Sequence, residues 1–483
     1  MNTRIYVAVA GMAVWGGCMV GPKYQKPAAV TAPAFKESPP EGWKEAQPAD
    51  GALRGKWWEL FQDPELNALE EQVSISNQNL LSAEAQFRAA KDAARQARSA
   101  LFPTLTASLS LVNSRTSSTL TNNQFTSFSP GLRTLYNLPL DVSYQVDLWG
   151  SIRRTITART GAAQATAAQL ENARLLFQAE LAQNYFQLRG LDTTQDLLER
   201  TVKSFDEYLQ LTKNRLSVGI ASGADVAQAE TQLATARAQL VDLGVTRAQI
   251  EHAIAVLIGK PPAEVSVSRR PIPRDPPSIP TGLPSALLER RPDIAAAERQ
   301  MAATSEQIGI AQATFYPSLT LTTTLSAQTT HITKWLSWPS RAWSLGPQMS
   351  QTIFDAGRRR AVWEQAQALY EASVAAYRQT VLIAFQEVED NLAALRVLET
   401  EGRVTNEAVE AAERALAIVT AQYKAGTTSY LQVITAQTAA LQNQRAAVDI
   451  LSRRTVATVL LVQALGGGWD SSMLPGKDQV LAR

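Results

Sequence analysis

The sequence predicts an α+β membrane protein in which β-strands contribute to a shared barrel and very long α-helices continue it. Three observations lead to this prediction. The chain contains an internal repeat, four of its segments alternate apolar with polar residues, and residues 151–218 and 358–425 are long stretches without proline. Alternation with a period of two is typical of strands with one apolar face, whereas long stretches without proline favour helices.

The repeat divides the chain into two similar halves. Residues 80–105 match residues 294–319 at an offset of 214 positions, and Gly150 aligns with Gly357 at an offset of 207. The first half therefore has seven additional residues in its hairpin. We expect both halves to have the same order of elements, which is a helix, two strands, a long helix and a return helix.

Local signals give the predicted bounds of these elements. Each half begins with a helix. We place the helix starts at about Pro64 and Pro292, because proline is well tolerated in a first helical turn. We place strands at about residues 103–113, 136–148, 317–327 and 343–354, long helices at 151–218 and 358–425, and return helices at 220–258 and 427–465. A linker at residues 260–284 contains eight prolines and should lie outside the main helices. The predicted regions are a signal peptide (1–17), an N-terminal segment (18–63), a first repeat (64–259), the linker, a second repeat (285–466) and a tail (467–483).

The N-terminus indicates export. Residues 1–17 combine a basic start with an apolar run that is too short to span a bilayer as a helix, as in a signal peptide. Small residues before Cys18 resemble the lipobox of bacterial lipoproteins, in which the cysteine receives a diacylglycerol and an N-acyl group, although Trp15 stands where leucine is usual. Cys18 is the only cysteine, so it cannot form an internal disulfide. It is either a lipid anchor for the outer membrane or an incidental cysteine behind an ordinary signal peptide.

The four strands predict an oligomer. Four strands cannot close a barrel, and an open sheet edge is not tolerated in hydrocarbon. Two chains would give eight strands and an interior filled by side chains, whereas three chains would give twelve strands and a water-filled lumen. We therefore predict a trimeric 12-stranded β-barrel, with four strands per chain, continued by an α-helical barrel with a mixed equatorial region. The alternative is a soluble sandwich beside a coiled-coil stalk, which would make the chain an envelope scaffold.

Composition excludes several function classes. The 46 basic and 44 acidic residues nearly balance, which gives no reason to expect nucleic acid as a partner. With two histidines and one cysteine, the chain has almost no ligands for a zinc, copper or haem site, so we expect no metal or other cofactor beyond the lipid on Cys18. No set of catalytic residues stands out either. We predict that the chain is not an enzyme.

Several motifs, in order along both halves, carry a resemblance to a known family. They are CMVGPKYQKP from Cys18, WWELFQDPELNAL from Trp57, DLWGSIRR from Asp147, SGADVAQAETQLA from Ser222, LLERRPDIAAAERQ from Leu287, IFDAGRRRA from Ile353 and YKAGTTSYLQVITAQTAALQNQR from Tyr423. The sequence is similar to the TolC-type outer-membrane efflux proteins, in their lipoprotein branch (NodT/OprM-like).

This resemblance implies partners and a function. Members of the family form homotrimers in outer-membrane lipid, extend into the periplasm and dock through a periplasmic adaptor protein onto an inner-membrane pump, usually of the proton-driven RND class. The chain would then be a passive exit duct for drugs or other small molecules, opened by docking. The alternative within transport is an outer-membrane duct for protein secretion driven by an ABC pump.

The resemblance also implies a gate at the periplasmic tip, just past the glycine turns. Asp225 and Tyr423 resemble the positions of one closing constraint, a hydrogen bond between a tyrosine hydroxyl and an aspartate. Thr428 stands where some relatives have an arginine, and Gln432 and Thr435 stand where relatives place rings of aspartate, so an acidic ring is not expected. The alternative is that Asp225 caps a helix and Tyr423 is a packing aromatic residue at a helix end.

Basic residues follow the strands in both halves, namely Arg153, Arg154, Arg358, Arg359 and Arg360. They could form a cationic ring at the mouth of the barrel. The alternative is that they solvate the starts of the helices and contact phosphate-bearing lipid.

Overall fold

The computed structural model describes residues 19–28, 32–37, 55–115, 132–279 and 287–482. The predicted signal peptide and Cys18 lie outside the described residues. The helices of the first half are α1 (Pro64–Ser76), α2 (Gln78–Ser99), α3 (Ser151–Ser217) and α4 (Gly223–Leu257). Those of the second half are α5 (Leu287–Arg290), α6 (Pro292–Ala313), α7 (Arg358–Lys424) and α8 (Tyr430–Ala464), and a short α9 (Lys477–Leu481) follows them.

The single helix predicted from Pro64 is in fact two helices. Asn77 has extended backbone, and its Oδ1 accepts hydrogen bonds from the backbone N–H groups of Asn79 and Leu80 at 2.9 and 3.1 Å. Asparagine is a preferred N-cap residue because its side chain satisfies these otherwise unpaired donors. Asn77 therefore ends α1 and starts α2.

Two helices are exceptionally long. Both α3 and α7 have 67 residues, which corresponds to a length of about 100 Å. Each begins directly after a glycine in the left-handed region, Gly150 with φ 79° or Gly357 with φ 86°. The return helices begin three residues later than predicted, at Gly223 and Tyr430, because the turns before them are longer. None of the described helices has the length and apolarity that a membrane-crossing helix needs.

The strands form one antiparallel sheet in the order β1-β3-β4-β5, with β2 also paired to β3. They are β1 (Thr104–Ala107), β2 (Ser110–Arg115), β3 (Leu132–Val146), β4 (Ser318–Thr329) and β5 (Arg341–Ser350). The bounds of β3 and β5 differ from the prediction, since β3 begins earlier and β5 covers only 341–350. The pairing of β5 ends at Ser350 because its partner on β4, Ser318, is the first residue of that strand.

The strand predicted at residues 103–113 is divided into β1 and β2. The register against β3 is the same on both sides of the break, because Ala107 faces Leu140 and Ser110 faces Asn137. Ser108 lies opposite Pro139 and donates to its carbonyl at 3.2 Å. Proline has no N–H to donate in return, so the ladder is interrupted there.

The largest apolar cluster lies midway along the long helices. It includes Trp57 and Trp58 of a 3₁₀ turn (Trp57–Phe61) and Tyr185 and Phe186 of α3. Phe61 packs on Phe186 with ring centroids 4.7 Å apart. The cluster joins α1, α3, α4, α7 and α8, so both halves share one core at this level.

A group of buried charges, the central ion cluster (Glu65, Arg189, Asp192 and Arg247), fastens the proline-rich linker to this core. Arg189 is 1% exposed and pairs with Glu65 of α1 at 2.8 Å and with Asp192 at 3.1 Å. Asp192 also pairs with Arg247 of α4 at 2.9 Å. Arg247 donates to the carbonyl of Val267 in the linker at 2.9 Å. The linker is therefore irregular but fixed against the helices.

Candidate functional site

The ends of α3 and α7 meet in a second apolar cluster, the tip cluster. It lies next to the turns that lead into α4 and α8, and all four helices contribute to it. Its members are Phe205, Leu209, Ala229, Leu233, Ala236, Tyr423, Tyr430 and Val433. The tip cluster is separate from the apolar cluster midway along the helices, so the tips have their own packing.

Tyr423 lies at the centre of the contacts between α3 and α7. Its side chain is 4% exposed, and its hydroxyl shares a hydrogen bond of 3.3 Å with the hydroxyl of Thr212 on α3. The guanidinium of Arg215 lies 4.5 Å from the centre of the Tyr423 ring and also donates to the Tyr423 carbonyl oxygen. The ring of Tyr430 packs beside it at a centroid distance of 5.4 Å.

A second polar contact joins the same two helices one turn further from the tip. The hydroxyl groups of Tyr208 and Thr420 are 2.8 Å apart. Tyr208, Thr212 and Arg215 therefore connect α3 to α7 through residues spaced four and three apart, which places them on one face of α3. The spacing of these three residues can be read from the sequence. It indicates a contact surface only when α7 is known to lie beside this face of α3.

Asp225 does not contact Tyr423 in the described part of the chain. Its carboxylate accepts hydrogen bonds from the backbone N–H and the hydroxyl of Ser222, both at 2.9 Å. Ser222 Oγ in turn accepts from the Asp225 N–H at 3.2 Å, which completes a capping box at the start of α4. Within one chain, Asp225 therefore acts as a helix cap.

The three other candidate gate residues lie on the second turn and on α8. Thr428 is half-buried, whereas Gln432 and Thr435 are exposed. The Thr435 hydroxyl donates to the Leu431 carbonyl of its own helix at 3.0 Å. The three candidate side chains at this point are thus polar and uncharged.

Burial raises the pKa of Tyr430 to about 12, and the neighbouring Tyr423, Tyr208 and Asp225 contribute in the same direction. The phenol is therefore neutral over the physiological range of pH. Tyr430 therefore adds no charge to the tip cluster, and the guanidinium of Arg215 lies beside the cluster, over the Tyr423 ring.

The five arginines after the strands do not share one environment. Arg154 is 2% exposed and donates to Glu306 and to the Val20 carbonyl, both at 2.7 Å. Its guanidinium packs on Gly309, where a side chain would overlap it. The prediction that places Arg154 in a ring facing water is therefore wrong, because this residue is an internal brace.

The other four arginines lie nearer the surface. Arg153 pairs with Asp147 at 3.0 Å, Arg359 pairs with Asp355 at 2.7 Å, and Arg360 pairs with Glu364 at 2.9 Å. Arg358 is exposed. Asp147 and Asp355 also accept hydrogen bonds from the backbone N–H groups of Arg153 and Arg359, respectively. Such contacts are expected in the first turn of a helix.

The residues that follow Cys18 lie where the sheet meets the helices. The N–H of Val20 donates to the Trp149 carbonyl at 3.1 Å, and Met19 packs directly on Gly150. Trp149 in turn stacks on Tyr316 with a centroid distance of 4.6 Å. Among the residues described, no group of His, Cys, Asp or Glu side chains is placed to hold a metal ion.

Comparison with known proteins gives consistent matches over nearly the whole chain. A family described as outer membrane efflux protein matches residues 69–260 and 283–467. The antibiotic efflux pump outer membrane protein ArpC of Pseudomonas putida is 32% identical over 467 residues, which cover 94% of each chain. The toluene efflux pump outer membrane protein TtgC of Pseudomonas putida is 31% identical with the same coverage. The solved structure of the outer-membrane channel OprN matches with a TM-score of 0.86 at 30% identity, over 94% of this chain and all of that one.

The family and these relatives are outer-membrane channel proteins that serve efflux pumps, and they are not enzymes. The predicted family resemblance and the predicted lack of catalytic activity are confirmed by these matches. The predicted outer-membrane location and the role in efflux agree with them as well. The chain belongs to the outer membrane efflux protein family.

Proposed function

We propose that three copies of this chain form a passive duct that leads small molecules from an inner-membrane pump across the periplasm and the outer membrane. The observation that carries this proposal is the junction between sheet and helices. In the described residues, β1 and β2 pair only with β3 and β5 pairs only with β4, so both sheet edges are open, while Gly150 and Gly357 lead directly into helices about 100 Å long.

Open edges require partners if the sheet lies in a membrane. Apolar side chains on the strands, such as Leu105, Leu111 and Leu345, are exposed in the single chain and suit contact with lipid. Three chains would close a 12-stranded barrel, and their helices would continue it as an α-helical barrel.

The gate of this duct is the tip cluster. The contacts of Tyr423 with Thr212 and Arg215, and that of Tyr208 with Thr420, hold the end of α7 against α3 in the closed state. Asp225 supports the gate by capping α4 beside it. This role replaces the direct hydrogen bond to Tyr423 that the family resemblance implied. Thr428, Gln432 and Thr435 lie at the aperture and make it polar and uncharged.

The chain is anchored by lipid on Cys18. Support comes from the position of Met19, which packs on Gly150 at the level of the stacked Trp149 and Tyr316 rings. Aromatic residues of this kind favour a membrane interface. Cys18→Ser should lower the mass by the diacylglycerol and acyl groups and shift the protein from the detergent-rich to the aqueous phase; an unchanged mass would exclude lipidation.

The partners are a periplasmic adaptor protein and an inner-membrane pump of the RND class, and the cargo is small organic molecules. The names of the two relatives above, which refer to antibiotic and toluene efflux, support this cargo over a secreted protein. In this proposal the pump supplies the energy for transport and the duct is passive.

Single-channel recording in planar bilayers tests the proposal. The purified trimer should conduct rarely, and the double variant Asp225→Ala with Tyr423→Phe should conduct more often at the same unit conductance. A protein that is trimeric and folded but never conducts, in either form, would contradict a gated duct and favour a structural scaffold.

A further inference from the structure

A cavity of about 430 Å³, the junction pocket, lies where α2 ends and α3 begins. Its walls come from the end of α2 and the residues after it, the first turns of α3, the short α9 and Met19. Three basic side chains line it, Arg98, Arg153 and Lys477. The gate and the duct proposed above do not use this pocket.

The pocket combines positive charge with apolar walls. Leu101 and Leu481 form part of its lining, beside Met19. In the described residues, neither Arg98 nor Lys477 belongs to an ion pair, and Arg98 makes only a long hydrogen bond of 3.4 Å to the Leu481 carbonyl.

The carboxylates near the pocket do not cancel this charge. Arg153 is paired with Asp147, and among the described residues Asp478 is the one acidic side chain in the lining. With Asp147 counted against Arg153 and Asp478 against one further cation, one positive charge remains in excess. An anion that enters the pocket would therefore meet a net positive charge, and neither Arg98 nor Lys477 is held in an ion pair within the described residues.

The position of the pocket determines which anions it can meet. β1 begins at Thr104, only three residues after Leu101, and the intervening Phe102 is 62% exposed. Met19 follows directly after Cys18 in the chain. If the strands cross the outer membrane as proposed above, the pocket lies at the level of the lipid head groups on the periplasmic side.

We propose that the junction pocket binds the phosphate head group of an anionic phospholipid from the periplasmic leaflet of the outer membrane. Arg98 and Lys477 contact the phosphate, since charge-assisted hydrogen bonds from basic groups to phosphate are short and strong. Met19, Leu101 and Leu481 contact the first part of the acyl chains. This lipid is not covalently bound and is distinct from the lipid on Cys18.

Native mass spectrometry of the purified trimer tests this proposal. The trimer is titrated with phosphatidylglycerol and, separately, with phosphatidylcholine of the same acyl chains. We expect wild type to retain phosphatidylglycerol in preference. Arg98→Gln combined with Lys477→Gln should weaken this binding by about 25-fold, since each basic residue near an anionic lipid contributes about fivefold.

A matched control removes two exposed basic residues elsewhere, Arg403 and Arg414 of α7, which pair with Glu407 and Glu410 of the same helix. Arg403→Gln combined with Arg414→Gln should leave lipid retention unchanged. Arg98→Lys combined with Lys477→Arg keeps both charges and should retain the lipid, which excludes misfolding as the cause of a loss.

Three outcomes would overturn the proposal. They are equal retention of phosphatidylcholine and phosphatidylglycerol, unchanged retention in the Arg98 and Lys477 double variant, and displacement of the lipid by inorganic phosphate at an equal concentration, which would indicate a site for free phosphate. Single-channel conductance is recorded on the same samples. Because lipid retention and conductance are separate readouts, failure of this site can be told from failure of the duct.

Discussion

Asn77 and Arg291 make the same contact in the two halves of the chain. The Asn77 amide donates to the Leu257 carbonyl at 2.8 Å, and the Arg291 guanidinium donates to the Ala464 carbonyl at 2.9 Å. Each carbonyl belongs to the last residue of a return helix. Both side chains thus satisfy a buried carbonyl at the end of a helix, which has no partner within the helix and where a donor or a positive charge is favourable.

The glycine that follows each return helix should be essential because of this close approach. A Cβ on Gly259 would overlap the Ser76 carbonyl, and Gly259 has a positive φ of 68°. We expect Gly259→Ala to cost about 3 kcal/mol or more, from backbone strain and from overlap with backbone that cannot move aside. Gly219 is the control, since it has a φ of 76° but open space around it. Gly219→Ala should cost only ~1 kcal/mol, and equal losses in thermal midpoint for the two variants would contradict the role of the contact.

Removal of Arg215 should open the proposed gate. Arg215→Ala loses both the cation–π contact and the hydrogen bond to the Tyr423 carbonyl, together worth about 2 kcal/mol. We expect about a 30-fold increase in open probability in planar bilayers. Lys213→Ala is the control on the same helix, because Lys213 pairs at the surface with Glu230 of α4 at 2.9 Å and, within the described residues, makes no hydrogen bond or ion pair to α7. Leakage through Lys213→Ala but not through Arg215→Ala would refute this gate.

Glu70 should make stability depend on pH. It is 0% exposed, neither carboxylate oxygen has a hydrogen-bond partner among the described residues, and burial raises its pKa well above the usual value. In the unfolded chain the carboxyl ionises near pH 4.5, whereas in the folded chain it stays protonated to higher pH. The contribution of Glu70 to stability is therefore most favourable below this value and falls as the pH rises, by up to ~1.4 kcal/mol per pH unit, until the raised pKa is passed.

The variant Glu70→Gln should remove this slope. The unfolding temperature of the variant minus that of wild type should therefore be larger at pH 7 than at pH 4. Glu71→Gln is the matched control, because Glu71 is the next residue, is exposed and pairs with Lys56. Thermal unfolding followed by tryptophan fluorescence between pH 4 and 8 gives the comparison. The same slope in wild type and Glu70→Gln would show that the dependence has another source.

The central ion cluster should hold the linker in place. Arg189→Met leaves Glu65 without its closest partner and removes the bond to the Ser268 carbonyl. Breaking a buried ion pair from one side costs about 3–5 kcal/mol. We expect trypsin to cleave faster after the exposed Arg269 of the freed linker. Arg403→Met, which breaks an exposed pair, should change neither stability nor cleavage; a linker equally resistant in Arg189→Met would argue against the clamp.

Regular spacing in the sequence was a reliable guide to the long helices and the hairpins. Gly150 and Gly357 mark helix starts because only a residue without a side chain adopts their positive φ easily. The break in the first strand was missed because its cause, Pro139, lies on the neighbouring strand. A proline in one strand removes a hydrogen bond from the strand that pairs with it. The sequence of a single strand does not show which residues it pairs with.

The site was harder to predict than the fold. The family resemblance pointed to Tyr423 as a candidate gate residue. Arg215 was not among the candidates, because its guanidinium reaches Tyr423 from another helix, 208 positions away in the chain. Arg154 was considered for a cationic ring because it is basic and follows a strand, whereas the structure buries it against Gly309 and pairs it with Glu306. Contacts between distant segments depend on packing that local patterns do not contain.

The central ion cluster divides α3 into two arms. The arm from Ser151 to Arg189 contains the residues that pack in the apolar cluster midway along the helices, and the arm from Arg189 to the last residue, Ser217, extends for about 42 Å to the tip cluster. A pivot at Arg189 would convert a tilt of only ~10° into a displacement of ~7 Å at Ser217, since the arc grows with the length of the arm. The helix thus has the geometry of a lever, in which a small angular change at the core is amplified at its far end.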